Sequence, residues 1–294
     1  MCRVPHRKAR GRKERTLSRV QASREYRPIG IFDSGVGGMT VLRALLQRLP
    51  AEEYFFLGDT ARLPYGTKGS STIISYSLQA ARRIVNSTPI KMLVVACNTA
   101  SSVALPTLRS EFPHIPVVGV IEPGARAAVR ATKNGRIAVL ATEATVRGGA
   151  YVDAIHKLDP DARVVSQACT LFVSLAEEGW LEGDVVEAAA RRYLANILNA
   201  EERPDTLLLG CTHFPLLQKA IARVVGEGMH IVDSAQTTAE AVTEILAGRG
   251  LANPSPHQGG VHFMATDNVA RFAATGSYFL GRKLSEQDVE LVDI

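Results

Sequence analysis

Short apolar segments alternate with longer amphipathic segments along most of this 294-residue chain. The apolar segments have the length of buried strands, and the segments between them have helical periodicity. Because parallel strands need crossover connections that are usually helices, this alternation predicts an α/β fold with parallel sheets. The predicted strands are residues 29–33, 54–58, 92–96, 117–120, 137–141, 163–166, 206–210, 230–233 and 261–265, and the predicted helices include 40–49, 70–86, 146–158 and 184–199.

The chain contains a weak internal repeat. Its two halves begin with similar strand segments, at 28–33 and 135–142, and a later strand in each half ends in a cysteine, Cys97 or Cys211. We therefore expect two pseudo-symmetric parallel-sheet α/β domains with a ligand site in the cleft between them, since ligands bind beyond the carboxyl ends of parallel strands. The expected division is a tail at 1–27, a first domain at 28–120 plus 234–294, and a second domain at 121–233.

The first 27 residues differ in composition from the rest of the chain. They contain ten Lys/Arg and two acidic residues, a net charge of +8, so the remaining residues carry −3 of the formal total of +5. The overall basicity is therefore no argument that the folded part binds nucleic acid. A segment so poor in large apolar residues cannot bury a core, and we expect a disordered tail. An organelle-targeting peptide and an arm for nucleic acid or an acidic partner are the alternatives.

Composition favours a cytoplasmic protein. Hydrophobic residues make up 46% of the chain, yet no apolar run approaches the roughly 20 residues that a membrane helix needs. No apolar segment follows the basic start, so we do not expect a secretory signal. Four cysteines without a CxxC pair are typical of free thiols in a reducing compartment and not of a disulfide scaffold.

A glycine-rich turn at residues 33–38 follows the first predicted strand and precedes the first predicted helix. Its glycines allow backbone N–H groups to approach an anion, either a phosphate or a carboxylate, at a helix N-terminus. A dinucleotide site is less favoured, because Thr40 stands where the third glycine of that pattern belongs, although Asp59 lies near the ribose-binding spacing. A tight turn without a ligand is the remaining alternative.

Cys97 and Cys211 each end an apolar strand and are followed by small polar residues. These are Asn98 and Thr99 after the first cysteine, and Thr212 and His213 after the second. A thiol at a strand end can lie near a helix N-terminus or a histidine, and both lower a thiol pKa towards that of a usable thiolate. Burial as a small apolar side chain is the alternative for any single cysteine, and it is what we expect for Cys169. A metal site is not expected, because one Cys-x-His lacks a second ligand pair.

Five segments, taken in order, resemble the glutamate racemases of the aspartate/glutamate racemase superfamily. They are residues 30–38 (GIFDSGVGG), 58–66 (GDTARLPYG), 96–101 (ACNTAS), 119–124 (GVIEPG) and 210–217 (GCTHFPLL). The likeness runs from about residue 28 to the last helix and omits only the tail. The last segment favours the glutamate branch over the aspartate branch.

The resemblance implies a cofactor-independent enzyme that interconverts L- and D-glutamate by a two-thiol 1,1-proton transfer in the cleft. Cys97 would act on one face of the substrate α-carbon, assisted by Asp33, and Cys211 on the opposite face, assisted by His213. The chemistry fits this pattern, because inversion by proton exchange needs a base on one side of the carbon and an acid on the other. The weakly acidic α-proton also requires oriented N–H donors around the substrate carboxylate.

The family pattern also implies substrate-binding residues. They are Asp33, Ser34, Tyr65, Gly66, Asn98, Thr99, Thr212 and His213. Asp59 and Glu177 match two accessory acids of the family. The segment around Glu177 departs from the usual form, because Thr170 and Ser174 stand where prolines are common. No cofactor and no metal are implied.

The resemblance implies glutamate as substrate and a role in peptidoglycan synthesis, cell wall biogenesis and cell shape in a bacterial cytoplasm. Family members form differing dimers, and some need a cell-wall precursor as activator, so a homodimer and such an activator are the expected partners. A racemase of aspartate or another amino acid is the first alternative. Binding of nucleic acid or a topoisomerase through the basic tail is the second.

Overall fold

The computed structural model describes residues 23–294, in which the strands form two parallel sheets. The strands are β1 (Ile29–Asp33), β2 (Tyr54–Gly58), β3 (Met92–Val95), β4 (Val117–Gly119), β5 (Arg136–Ala141), β6 (Arg163–Ala168), β7 (Thr206–Gly210), β8 (His230–Asp233), β9 (Val261–Ala265) and β10 (Val289–Leu291). Within these residues the first sheet has six strands in the order β10-β9-β2-β1-β3-β4, and the second has four in the order β6-β5-β7-β8. The predicted class of two parallel-sheet α/β units is confirmed.

Helices connect the strands and cover both sheets. They are α1 (Met39–Arg48), α2 (Ser70–Ser87), α3 (Asn98–Val103), α4 (Leu105–Glu111), α5 (Ile121–Ala131), α6 (Glu143–Gly148), α7 (Ala150–Leu158), α8 (Thr170–Glu177), α9 (Asp184–Leu198), α10 (Gln218–Val225), α11 (Ser234–Gly248) and α12 (Val269–Leu280). No helix in residues 23–294 combines the length and the apolar character needed to cross a bilayer.

The predicted strands are all present, with ends that shift by at most two residues. Strand β10 was not predicted, because it has three residues and two of them are exposed. The continuous helix predicted at 146–158 is wrong. Gly149 adopts a left-handed conformation, with φ of 68°, and divides this region into α6 and α7.

The two sheets use different parts of the chain. The first draws its strands from 29–119 and 261–291, and the second draws its strands from 136–233. Helix α11 lies between the two units and packs on both α1 and α5. One cluster of buried apolar residues extends across both sheets, with Ile31 on one side and Leu209 on the other. The carboxyl ends of β1, β3 and β7 are thereby held close to one another.

Residues 1–22 of the predicted basic tail lie outside the described residues. They carry most of the positive charge on which the alternative of nucleic-acid binding through the tail depends. The following residues Arg24–Tyr26 form a short 3-10 helix. The carbonyl oxygen of Glu25 accepts a hydrogen bond from Lys91 Nζ at 2.5 Å. Lys91 in turn forms a buried ion pair with Glu52 at the amino ends of the strands, the end opposite to the predicted site.

Candidate active site

The two predicted thiols lie at the carboxyl ends of β3 and β7, in different sheets. Cys97 caps α3, where its Sγ accepts a hydrogen bond from the Ala100 N–H at 3.4 Å and donates one to Ser34 Oγ at 3.3 Å. Cys211 Sγ lies 3.9 Å from His213 Nδ1. Both cysteines are 5% exposed. Each strand therefore delivers a buried thiol with polar partners, as expected for the carboxyl edge of a parallel sheet.

The glycine-rich turn at 33–38 brings the two thiols into one site. Its Ser34 contacts Cys97, and its Gly37 packs directly on the residues that follow Cys211. A Cβ atom on Gly37 would lie 2.3 Å from Thr212 Oγ1 and 2.5 Å from His213 Nδ1. Only a residue without a side chain permits so close an approach.

Replacement of Gly37 by alanine is expected to destabilise the fold by about 1–3 kcal/mol, since the added methyl group overpacks the contact between the two units. Gly248→Ala is the matched control, because a Cβ at this helical position meets nothing within 4 Å and alanine favours the helix. Chemical denaturation of both variants measures the difference. Equal free energies of unfolding for the two variants would contradict the close contact at Gly37.

The surroundings of Cys97 favour the neutral thiol. Burial and the nearby Asp33 carboxylate raise the pKa of Cys97 to about 12, although hydrogen bonds with Ser34 and the Ala100 N–H oppose this shift. Asp33 itself is 1% exposed and accepts a hydrogen bond from the Gly35 N–H at 3.0 Å. Burial raises the pKa of Asp33, and the His213 charge opposes that effect.

Beside Cys211, the surroundings of His213 favour the charged form of the imidazole. His213 Nε2 lies 3.1 Å from Glu177 Oε1, and its ring packs edge-on against Phe279. Burial lowers the pKa of His213, but the contacts with Cys211 and Glu177 outweigh burial and raise this pKa to about 10. The hydrogen bond with His213 lowers the pKa of Glu177. The stable form at neutral pH is therefore an imidazolium between a carboxylate and a sulfur atom.

Asp59 holds Tyr65 at the edge of the site. Tyr65 donates its hydroxyl proton to Asp59 Oδ2 at 2.5 Å, and Thr266 donates to Asp59 Oδ1 at 2.9 Å. Burial and the Asp59 charge raise the pKa of Tyr65. The adjacent Gly66 packs on Thr142, whose Cβ would lie 2.9 Å from a Cβ on the glycine. The Tyr65 hydroxyl is thus engaged within the protein, and the backbone around Gly66 is what faces the second unit.

The residues after Cys97 contact the second unit through polar side chains. Thr99 Oγ1 lies 3.0 Å from Thr142 Oγ1 and 3.2 Å from Thr145 Oγ1. Asn98 donates from Nδ2 to the hydroxyl oxygen of Tyr151 at 2.7 Å. Thr142, Thr145 and Tyr151 of the second unit were not predicted from the sequence. The only signal was the strand end at β5, which Thr142 follows.

The structure thus places the predicted residues around one position between the two units, and Glu177 joins them through His213. Thr40 was also missed, and its Oγ1 lies 3.0 Å from the Thr212 carbonyl oxygen. Within residues 23–294, no cluster of three or more His, Cys, Asp or Glu side chains has a geometry that could hold a metal ion. The roles of the individual residues remain predictions.

A thiol from each of two parallel sheets, one beside a carboxylate and one beside a histidine, defines a site suited to proton transfer at two faces of a substrate. A family model for the Asp/Glu/hydantoin racemases matches residues 29–242. This chain belongs to that family of racemases.

Relatives within the family narrow the class further. Glutamate racemase of Geobacter metallireducens is 50% identical over 261 residues, which cover 89% of this chain and 95% of that protein. Glutamate racemase of Syntrophus aciditrophicus is 45% identical, with 89% and 96% covered. The crystal structure of the RacE1 isoform from Bacillus anthracis matches with a TM-score of 0.85 and 36% identity, covering 92% of this chain and 98% of that one. The resemblance to glutamate racemases and the assignment as a racemase are confirmed.

Proposed function

We propose that this protein interconverts L- and D-glutamate by moving protons between the substrate α-carbon and the thiols of Cys97 and Cys211. The observation that carries the proposal is the turn at 33–38, which contacts Cys97 through Ser34 and the surroundings of Cys211 through Gly37. The similarity to glutamate racemases supports glutamate as the substrate. The Francisella tularensis glutamate racemase, 34% identical with a TM-score of 0.84, was crystallised in complex with D-glutamate.

The charges in the site suggest how a turnover begins. Cys97 rests as a neutral thiol beside Asp33, and the proposed base is Cys211, whose thiolate form would lie beside the His213 imidazolium. The thiolate of Cys211 removes the α-proton from the enantiomer whose C–H bond faces it, and Cys97 donates its own proton to the opposite face. The products are the other enantiomer, a Cys97 thiolate and a Cys211 thiol. The reverse reaction, or proton exchange after product release, restores the resting state.

Asp33 has a second role in this scheme. A thiolate at Cys97 is unfavourable beside an ionised carboxylate, because the two negative charges repel each other in a buried site. Burial already raises the pKa of Asp33, so when Cys97 serves as the base this carboxylate can accept the Cys97 thiol proton, which breaks the S–H bond and forms an O–H bond. Asp33 therefore assists Cys97 as His213 assists Cys211.

The substrate needs hydrogen-bond donors for its carboxylates and acceptors for its ammonium group. We propose that backbone N–H groups and polar side chains supply these contacts. The N–H groups are those of the turn at 33–38 and of Gly66, and the side chains are those of Asn98, Thr99 and Thr212. Stabilising the carbanion by oriented donors is the largest catalytic contribution expected in such a site. The Tyr65 hydroxyl is proposed to act indirectly, because Asp59 already accepts its proton.

The decisive experiment is incubation of the purified protein with L-glutamate in D2O without added cofactor. The expected result is loss of optical rotation together with entry of deuterium at Cα. No loss of rotation, or activity only after addition of pyridoxal phosphate, would refute the proposal. A parallel assay with aspartate and other amino acids tests the substrate, and faster turnover of aspartate would favour the alternative racemase.

The cellular role and the partners complete the proposal. We propose a cytoplasmic homodimer that supplies D-glutamate for peptidoglycan. The Escherichia coli glutamate racemase, 33% identical with a TM-score of 0.71, was crystallised with L-glutamate and the activator UDP-MurNAc-Ala. Activation of this chain by such a precursor is tested by titrating UDP-MurNAc-Ala into the racemisation assay, and the homodimer is tested by sedimentation analysis.

The domain division is part of the same proposal. We propose a first domain at 28–120 plus 234–294 and a second domain at 121–233. The strands of the first sheet all lie in the first set of residues and those of the second sheet all lie in the second, which supports this division. Because both thiols are 5% exposed, substrate entry would require the contacts between these domains to part. Hydrogen exchange at Thr142 and Tyr151, with and without glutamate, would report that opening.

A further inference from the structure

Tyr151 contacts the residues next to both thiols. It lies in α7 of the second unit and is 2% exposed. Its hydroxyl oxygen accepts the hydrogen bond from Asn98, the residue after Cys97. Its ring packs on Gly210, the residue before Cys211, so closely that a Cβ on Gly210 would lie 2.8 Å from Tyr151 Cε2. One side chain therefore connects the ends of β3 and β7.

Only one of the two polar groups of the Asn98 carboxamide has a hydrogen-bond partner among the described residues. Its Nδ2 donates to Tyr151, whereas its Oδ1 is buried without a hydrogen-bond partner among the described residues. An unpaired buried acceptor is unfavourable, because it has lost its hydrogen bonds to water without a replacement. Such an atom beside a proposed catalytic thiol indicates that a bound ligand supplies the missing donor. The ammonium group of an amino acid has three donors and no acceptor, so it fits this requirement.

We propose that Tyr151 is a positioning residue that fixes the Asn98 carboxamide with its oxygen free to accept a hydrogen bond from the substrate ammonium group. The inference rests on the proposed racemase function. A carboxamide has a donor side and an acceptor side of nearly equal shape. The Tyr151 hydroxyl has a second side-chain partner in Ser234, to which it can donate its proton, so its oxygen accepts from Asn98 Nδ2. Without the hydroxyl this selection of one orientation is lost, and the flipped amide would direct N–H groups at a cation.

Tyr151→Phe tests this role, because it removes the hydroxyl and keeps the ring beside Gly210. We expect the KM for glutamate to rise about tenfold while kcat changes less than threefold in both directions. The ammonium contact exists in the ground state and in the transition state alike, and the loss of such uniform binding affects KM. Tyr54→Phe is the matched control, since it also removes a buried hydroxyl, bonded to the Leu49 carbonyl oxygen. This control should lower the melting temperature and leave KM unchanged.

A double-mutant cycle tests whether Tyr151 acts through Asn98. The KM of Asn98→Ala combined with Tyr151→Phe should equal that of Asn98→Ala alone within twofold, because the amide to be positioned is already absent. If turnover of these variants is too slow, dissociation constants for D-glutamate from calorimetry give the same cycle.

Two outcomes would overturn the inference. The first is a KM of Tyr151→Phe within twofold of the wild-type value. The second is a double variant whose KM rises by the product of the fold-increases measured for Tyr151→Phe and Asn98→Ala separately. These outcomes are distinct from failure of the proposed function, which would appear as a wild-type protein that does not racemise glutamate. A wild type that turns over normally, with Tyr151→Phe unaffected, refutes only the role of Tyr151.

Discussion

Replacement of either Cys97 or Cys211 by alanine is expected to reduce glutamate racemisation by about 10²–10⁴-fold, the usual contribution of a positioned acid or base. Inversion requires removal of a proton from one face of the α-carbon and delivery to the other. With one thiol missing, no group remains to act on that face. Chiral chromatography of L- and D-glutamate after incubation measures the loss. Inversion by either variant at the wild-type rate would refute the two-thiol mechanism.

The two variants should differ in proton exchange. In D2O, Cys97→Ala retains the Cys211–His213 pair and is expected to exchange the α-proton of one enantiomer without inverting it. Cys211→Ala retains only Cys97, whose pKa of about 12 leaves little thiolate near neutral pH. Its exchange of the other enantiomer should therefore be slower and should increase as the pH rises. NMR of the α-proton signal of each enantiomer measures both rates.

Cys169→Ala is the control for these variants. Cys169 is also a buried free cysteine, and its Sγ lies 3.6 Å from the Gln167 carbonyl oxygen in the apolar core. Its loss is expected to lower stability, because it leaves a small cavity, and to leave racemisation intact. A general effect of removing a buried sulfur atom would instead reduce the activity of all three variants alike.

The sequence predicts much of the fold because the constraints are local. Parallel strands buried on both faces are continuous apolar runs, and the residues that follow them lie together at one edge of the sheet. For this reason Asp33, Cys97 and Cys211 could be placed near one site. Strand β10 has too few apolar residues to give this signal, and the division at Gly149 depends on one residue's left-handed conformation.

The residues of the site that could not be predicted from the sequence are brought there by contacts between distant segments. Tyr151 and Thr145 are ordinary helix residues in the sequence, and only tertiary packing brings them to Asn98 and Thr99. The contact of Gly37 with His213 likewise joins segments far apart in the chain. Local periodicity carries no information about such pairs. The sequence therefore predicted the site residues at the strand ends, but not the side chains from other segments that hold them in position.

Glu177→Gln is expected to lower racemisation by about 10- to 100-fold at neutral pH, in line with the roughly 1.5–3 kcal/mol of a hydrogen bond to a charged group. Glu177 accepts the hydrogen bond from the buried His213 imidazolium. A glutamine keeps the shape but not the negative charge. Burial lowers the pKa of His213, and in the variant only the contact with Cys211 opposes this effect, so the charged imidazole beside Cys211 becomes less favoured.

The same substitution should change how stability depends on pH. The pKa of His213 is raised from its ordinary value of 6.5 to about 10 in the folded protein. A group whose folded pKa is raised stabilises the fold fully below its unfolded pKa, and this contribution disappears as the pH rises through the folded pKa. The free energy of unfolding of the wild type should therefore fall between pH 6.5 and 10. In Glu177→Gln that fall should be smaller, because one of the two contacts that raise the pKa of His213 is gone.

Glu178→Gln provides the matched control, since Glu178 is the neighbouring residue, is exposed and loses the same charge. Activity and denaturation profiles from pH 6 to 10 should be unchanged in this control and altered in Glu177→Gln. If the two variants behave alike, the effect comes from the general negative charge near α8. If only Glu177→Gln responds, the carboxylate acts through its contact with His213. That result would show that a contact within the second unit, between side chains 36 residues apart in the sequence, sets the charge of the imidazole beside Cys211.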